Sequence, residues 1–190
     1  MKLAVLFPGI GYHTDKPLLY YSRKLAQQYQ YEIIQVSYGG FPADVKGSPE
    51  KMEAAFFSAM EQTEAVLKDV DFSLYDTCLF ISKSVGTAVA AAYARNHGLA
   101  TCNVFYTPVE ASFSFMEQSG IVFTGTSDPW VETALVKQEC AKRNLPLFIT
   151  RDGNHSLETG DAMTDLRNLH EIMEQTRSYI ARISRKEGIH

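Results

Sequence analysis

Residues 77–94 of the chain read TCLFISKSVGTAVAAAYA. The first six form a mostly apolar run without alternation, which is typical of a strand covered on both faces. A turn of small residues, Ser82-Lys83-Ser84-Val85-Gly86, comes next, and a helix rich in alanine is predicted over 85–97. Because small side chains let that helix lie close to a sheet, the stretch predicts the strand–turn–helix unit of a parallel sheet.

Five further runs rich in branched, aromatic and leucine residues flank this unit, at 3–7, 32–36, 102–106, 120–124 and 147–150. Helical patterns separate them, at 17–29, from Ser48 onward, at 130–143 and from Ala162 to Ile183. This alternation predicts an α/β fold: a doubly wound, mainly parallel six-stranded sheet with helices on both faces. A loop is predicted over 39–48. With no linker or repeat in view, we expect one domain over 1–190.

The composition is that of an ordinary globular protein, with 45% hydrophobic residues and a formal net charge of −4. This charge gives no reason to expect nucleic acid or an anionic membrane as a partner. Cys78, Cys102 and Cys140 are odd in number and widely spaced, which argues against a disulfide framework or a metal site. Pro8-Gly9 interrupts the apolar start too early for a signal peptide, and no run is long enough to span a membrane. We therefore expect a cytoplasmic protein.

Functional residues of such sheets gather at the carboxyl ends of the strands, and Ser84 stands at one of them. A small-x-Ser-x-small turn is so tight that the serine is strained and its neighbours two residues away must be small. Gly86 meets this requirement, and Ser82 replaces the more usual glycine. Ser84 is therefore a candidate nucleophile. The alternative is that Ser82 or Ser84 only caps the helix.

Two later loops carry an acid and a histidine. Asp128 follows the fifth predicted strand within Gly125-Thr126-Ser127-Asp128-Pro129, and His155 follows the sixth within Gly153-Asn154-His155. Histidine can take the serine proton, and a carboxylate on the far ring nitrogen holds the imidazole in the required tautomer. Asp128 could instead cap the next helix, and Asp152 is a rival for the orienting role.

Together, the turn at Ser84, the Gly-Thr-Ser-Asp128-Pro loop and the Gly-Asn-His155 loop resemble the α/β-hydrolase superfamily, among its small cytosolic members without a cap. The resemblance covers almost the whole chain. It implies a catalytic triad of Ser84, His155 and Asp128 that needs no cofactor or metal. It also implies that the backbone N–H groups of Ile10 and Val85 bind the oxyanion. About fourteen residues separate Tyr106 from Ile121, too few for the lid of larger relatives.

An open site without a lid would be lined by loop residues. The candidates for the substrate pocket are Gly9, Gly11, Tyr12, His13, Tyr38, Phe113 and Trp130, with Phe41 and Phe115 nearby. Whether His13 or Lys83 contacts the substrate stays open at this stage, as does the oligomeric state.

Three functions compete. The first is hydrolysis of a small or medium acyl substrate through an acyl-serine, with a carboxylic ester as the favoured bond and a thioester or amide next. The second is a binding or regulatory domain that keeps the scaffold without the chemistry. The third is a flavodoxin-like nucleotide or flavin binder. The loop after the first strand, Pro8-Gly9-Ile10-Gly11-Tyr12-His13-Thr14, has neither the pattern nor the lysine of a phosphate loop, which disfavours the third.

Overall fold

The structure is a computed structural model and describes residues 1–41, 45, 48–117 and 119–185. Six strands run through it: β1 (Lys2–Phe7), β2 (Glu32–Gln35), β3 (Thr77–Lys83), β4 (Cys102–Tyr106), β5 (Ile121–Gly125) and β6 (Leu147–Thr150). Five α-helices connect or follow them: α1 (Pro17–Gln28), α2 (Pro49–Leu67), α3 (Val85–Asn96), α4 (Thr133–Lys142) and α5 (Ala162–Ser184). The described residues also include 3₁₀ turns at Phe72–Leu74 and Glu110–Ser114.

The strands form one parallel sheet in the order β2-β1-β3-β4-β5-β6. The chain moves outward from β1 to β2 and then returns to place β3 on the other side of β1. This reversal is the switch point at which doubly wound sheets bind their ligands. The loops that follow β1 and β3 therefore open side by side.

Helices cover both faces of the sheet. On one face, α1 and α5 pack over alternate strand residues such as Leu79 and Ile81. On the other, α2 and α3 pack over residues that include Phe80, and α4 covers Val122. The central strands are buried on both sides, which explains why their sequences are continuously apolar.

The predicted fold class is confirmed, and the six strands fall within one residue of the predicted runs at either end. Three helices also begin where predicted, at Pro17, Val85 and Ala162, and α2 begins at Pro49 with Ser48 as its cap. The helix expected to start at residue 130 begins instead at Thr133. Parts of the loop predicted over 39–48, and residues 186–190 of the predicted domain, lie outside the described residues.

Between β4 and β5 the described residues form the 3₁₀ turn Glu110–Ser114 and short loops. They build no lid domain over the carboxyl edge of the sheet, as expected from the short spacing. Within the same described part of the chain, no helix has both the length and the apolar character needed to cross a bilayer.

Candidate active site

Ser84 stands between β3 and α3 in a strained backbone conformation, with φ 56° and ψ −126°. A non-glycine residue rarely adopts such a positive φ, and it persists only where the surroundings impose it. The Ser84 N–H donates to the carbonyl oxygen of Tyr106 on β4 (3.0 Å), and the Ser84 carbonyl accepts from the Thr87 hydroxyl (2.6 Å). The serine side chain makes no capping bond to α3. This strained turn between a strand and a helix has the geometry that the sequence predicts for a nucleophile elbow, and we call it the elbow.

The two small neighbours of Ser84 are required for different reasons. A Cβ on Gly86 would lie 2.3 Å from the carbonyl oxygen of Pro8 and 2.5 Å from that of Phe7. Only glycine therefore lets α3 begin so close to the end of β1. Ser82 is fully buried, and its hydroxyl donates to the carbonyl oxygen of Val104 (3.3 Å). This bond satisfies the hydroxyl, so a serine can be buried where glycine is more usual.

Ser84, His155 and Asp128 meet at the carboxyl edge of the sheet. His155 Nε2 lies 2.8 Å from Ser84 Oγ, and His155 Nδ1 lies 2.8 Å from Asp128 Oδ2. The Asp128 side chain is completely buried, whereas the imidazole is 17% exposed. The structure thus brings the three sequence-predicted residues into one hydrogen-bonded chain, with its serine end toward the solvent-accessible side.

Asp128 uses both carboxylate oxygens. While Oδ2 contacts the imidazole, Oδ1 accepts a hydrogen bond from the backbone N–H of Trp130 (2.9 Å). This bond closes a local turn rather than capping α4, which begins at Thr133. The rival acid Asp152 is exposed and pairs with Arg151 (3.6 Å). It lies outside the hydrogen-bonded chain.

The loops that carry Asp128 and His155 are packed backbone against backbone. A Cβ on Gly125 would lie 2.0 Å from the Gly153 carbonyl oxygen, so glycine is required at that position. The same Gly153 oxygen accepts from the N–H of Ser127 (2.9 Å), and the Thr126 hydroxyl accepts from the N–H of Asp152 (2.7 Å). This contact fixes the distance between the acid and the histidine.

Two polar residues whose contacts the sequence did not reveal hold the His155 loop. The buried Thr107 hydroxyl donates to the His155 carbonyl oxygen (3.0 Å). Asn154 Oδ1 accepts from the N–H of Ser156 (2.7 Å) and of Glu158 (3.1 Å). Asn154 stands beside the histidine in sequence and could have been suspected as a turn residue. Nothing in the sequence near Thr107 points to a partner 48 residues away.

The loop after β1 is a tight turn closed by two backbone hydrogen bonds between Gly9 and Tyr12, of 3.0 and 3.2 Å. We call residues 9–12 the oxyanion turn, after the role that the sequence predicts for the N–H of Ile10. A Cβ on Gly9 would lie 3.1 Å from Ser84 Cβ, so the turn presses directly against the elbow. Among the hydrogen bonds of the described residues, none occupies the N–H of Ile10. Val85 begins α3, where helical N–H groups have no partner within the helix. Both predicted donors are thus available beside Ser84.

A cavity of about 690 Å³ opens next to the oxyanion turn. Five residues expected near the site line it: Gly9, Gly11, His13, Tyr38 and Phe41. The guanidinium of Arg23 adds a charged wall and bonds the carboxylate of Asp15 (3.0 Å).

The other pocket candidates do not line this cavity. The Trp130 indole stacks on the His155 imidazole, with ring centroids 5.1 Å apart. Tyr12 is 8% exposed and lies under the turn rather than in the cavity wall. Phe113 is 4% exposed and packs in the core below the Arg143 guanidinium, so its placement in the substrate pocket is corrected. Phe115 stacks on Phe56 of α2.

By sequence, the chain matches no protein-family model and no curated protein. Solved structures do resemble it in three dimensions. An α/β serine hydrolase without a lid from Xanthomonas campestris has a TM-score of 0.63 at 12% identity, covering 95% of this chain and 81% of the other. Est1E from Butyrivibrio proteoclasticus, with ferulic acid bound, has a TM-score of 0.68 at 9% identity, over 96% and 89% of the two chains. The esterase Pf2001 of Pyrococcus furiosus has a TM-score of 0.65 at 13% identity, over 95% and 83%.

These similarities concern the fold, because the sequence identities are low. The chain has the α/β-hydrolase fold in a form without a lid, and the resemblance predicted from its sequence is confirmed at that level. The structural neighbours include hydrolases and an esterase.

Proposed function

We propose that the chain is a serine hydrolase that cleaves a small or medium acyl substrate through an acyl-serine intermediate. The observation that carries this proposal is the hydrogen-bonded chain from Ser84 Oγ through His155 to the buried Asp128 carboxylate, with both contacts at 2.8 Å. The strained conformation of Ser84 supports the same conclusion, because strain of this kind is concentrated at functional sites.

In the first half of the reaction, Ser84 Oγ attacks the carbonyl carbon while its proton passes to His155 Nε2. Asp128 Oδ2 accepts a hydrogen bond from Nδ1–H and stabilises the imidazolium that forms. The carbonyl π electrons move to the oxygen, and the N–H groups of Ile10 and Val85 donate to it. The tetrahedral intermediate then collapses, the bond to the leaving group breaks, and the imidazolium proton goes to the departing oxygen.

In the second half, water takes the place of the leaving group. His155 Nε2 accepts a water proton as the oxygen attacks the acyl-serine, and a second oxyanion forms in the same place. Collapse breaks the bond to Ser84 Oγ, which recovers its proton from the imidazolium. The carboxylic acid departs, and the three side chains return to their starting protonation states.

The substrate we propose is a small-molecule carboxylic ester, with one side placed in the 690 Å³ cavity beside the oxyanion turn. The size of that cavity lies within the usual range for small-molecule sites. We further propose that the enzyme works in the cytoplasm, since its three cysteines form no disulfide.

Replacement of the nucleophile tests the proposal. Ser84→Ala should abolish turnover of p-nitrophenyl esters, with a loss of about 10⁴-fold or more in kcat, because no other hydroxyl can form the intermediate. Circular dichroism should show the fold intact. Ser178→Ala, which alters an exposed serine of α5 outside the loops that carry Asp128 and His155, is the matched control and should retain full activity. Unchanged esterase activity in Ser84→Ala would refute the assignment.

A fluorophosphonate probe separates this function from a binding domain. We expect the wild-type protein to be labelled at Ser84, and Ser84→Ala to remain unlabelled. Folded wild-type protein that never reacts would favour a non-catalytic binding module. Acyl-thioester and aminoacyl-amide substrates, assayed beside esters of increasing chain length, identify the bond that is cleaved.

A further inference from the structure

A lysine lies inside the protein immediately before the proposed nucleophile. Lys83 ends β3 and is 1% exposed, which makes it one of the largest fully buried side chains. It continues the alternation of Leu79 and Ile81, so its side chain enters the face covered by α1 and α5. Lys83 therefore points into the protein and does not contact substrate in the open site. A buried charged group of this kind is rare unless it has a specific role.

The amino nitrogen of Lys83 lies 5.0 Å from the centre of the Tyr12 ring. This distance is within the range of a cation–π interaction, which is stronger where water is excluded. Tyr12 is 8% exposed. Its hydroxyl accepts a hydrogen bond from the N–H of Leu18 at the start of α1 (3.1 Å). The ring is thus held at two places: α1 binds its hydroxyl, and the lysine lies over its face.

Tyr12 is also the last residue of the oxyanion turn. Its backbone makes both hydrogen bonds that close the turn on Gly9. Lys83 meets the other side of the same turn, because a Cβ on Gly9 would lie 3.2 Å from the Lys83 carbonyl oxygen. The backbone of Lys83 therefore lies against Gly9, and its side chain lies against Tyr12. These two residues are the ends of the turn that carries the Ile10 N–H.

We infer that Lys83 is a positioning residue for catalysis: by holding the ring of Tyr12, it keeps the oxyanion turn against the elbow and aims the Ile10 N–H at the oxyanion. This inference rests on the proposed function. The N–H must lie close to the place where the oxygen becomes charged, and small displacements of such donors are costly. A turn of four residues with two glycines would otherwise have considerable freedom.

The first test is Lys83→Met, which keeps the length of the side chain and removes its charge. We expect kcat for p-nitrophenyl esters to fall about 10- to 100-fold while KM stays unchanged, because an oxyanion donor acts in the transition state. Labelling by the fluorophosphonate should slow by a similar factor, since that reaction also places a charged oxygen in the oxyanion site. Lys142→Met makes the same chemical change on the surface of α4 and should leave both rates unchanged.

Variants of Tyr12 keep the inference testable even if Lys83→Met fails to fold. Tyr12→Leu removes the ring and should reproduce the fall in kcat, whereas Tyr12→Phe keeps the ring and should fall less. Combining Tyr12→Leu with Lys83→Met should cost little more than either change alone, because both break one interaction.

The outcomes separate the two proposals. If the wild type shows Ser84-dependent turnover and folded Lys83→Met matches it within about twofold, the role of Lys83 is wrong and the hydrolase stands. The same holds if Tyr12→Leu keeps wild-type kcat, or if the losses appear in KM alone. If the wild-type protein neither turns over esters nor labels at Ser84, both proposals fall together.

Discussion

The nucleophile elbow and the two loops that carry Asp128 and His155 are held in place by different forces. At the elbow the constraint is mainly steric: Ser84 has a φ of 56°, and α3 begins against the carbonyl oxygens of β1. In the loops, apart from the close approach of Gly125 to Gly153, the constraint is a set of hydrogen bonds between residues far apart in sequence.

This difference bears on which part of the site tolerates change. Where the space is already filled, one added atom creates a clash. The backbone must move to relieve that clash, and this disturbs the whole fold. A hydrogen-bonded loop can lose one bond and keep its overall course, at a cost of about 1–3 kcal/mol for the group left unpaired. We therefore expect changes that enlarge the small neighbours of Ser84 to fail mainly in stability, and changes in the two loops to fail mainly in activity.

The largest expected effect lies in the loops and concerns activity. Asp128→Asn should lower kcat by about 10⁴-fold, because the amide no longer holds the imidazole in the tautomer that accepts the serine proton. Stability should change little, since Oδ1 can still accept from the N–H of Trp130. Steady-state kinetics and thermal unfolding measure the two effects.

Asp152→Asn is the matched control for this change, because Asp152 is the exposed acid of the neighbouring loop. Its activity should equal that of the wild type. If Asp128→Asn kept activity within tenfold of the wild type, the assignment of the orienting carboxylate would be wrong.

The second effect lies at the elbow and concerns stability. Gly86→Ala should destabilise the protein by about 3 kcal/mol or more, because the new methyl group meets two backbone carbonyls at 2.3 and 2.5 Å. Urea unfolding measures this loss. Gly98→Ala is the control: it also adds one methyl group, at a φ of +60° but with no atom within 4 Å. It should cost only about 1–2 kcal/mol. Equal losses in the two variants would contradict a steric origin.

A third and smaller effect returns to the loops. Thr107→Val removes the donor to the His155 carbonyl oxygen with little change of volume. We expect kcat to fall about tenfold as the imidazole shifts. Stability should fall by about 1 kcal/mol, since a partly buried acceptor loses its partner.

Thr124→Val provides the comparison for Thr107→Val. Thr124 is equally buried, and among the described residues its hydroxyl has no hydrogen-bond partner. The same substitution there should be neutral or stabilising, with activity retained. If both variants behaved alike, the bond from Thr107 would have no particular importance.

The smallest expected effect is on the stability of the protein in acid, and it arises at the end of the His155 loop. Hydrogen bonds from the N–H and hydroxyl of Thr159 lower the pKa of Asp165, which anchors the end of the His155 loop to α5. Because the folded-state pKa lies below the unfolded value of about 3.9, this stabilisation is present above that value and lost as pH falls through the folded pKa. Asp165→Asn should lower the melting temperature slightly at neutral pH and converge with the wild type in strong acid. Parallel melting curves at all pH values would contradict this.

The elbow could be predicted from sequence because its constraint is local. Ser82, Ser84 and Gly86 are spaced as a tight turn requires, and the requirement needs no knowledge of the rest of the chain. Asp128 and His155 could also be placed, because an α/β pattern implies that loops after successive parallel strands open on the same edge. The structure brings His155 beside Ser84 and Asp128 beside the other ring nitrogen of His155.

What the apolar pattern could not provide are the polar contacts within a turn and the packing of one segment on another. The start of α4 is a case of the first kind: the Asp128 carboxylate accepts from the N–H of Trp130, and Thr133 donates its hydroxyl to the Gly125 carbonyl oxygen (3.2 Å). The helix therefore begins after this local turn, three residues later than its apolar pattern suggests. Phe113 is another case, because burial under Arg143 depends on the packing of α4 and leaves no trace in the local pattern.

The stacking of Trp130 on His155 has a practical consequence. The chain has one tryptophan, so its indole emission arises at a single place. That place is the face of the proposed base, with the two rings inclined by 24°. A protonated imidazole quenches the fluorescence of an indole in contact with it, whereas a neutral one does so much less. The protein therefore contains its own optical reporter for the charge on that histidine, readable without any added dye.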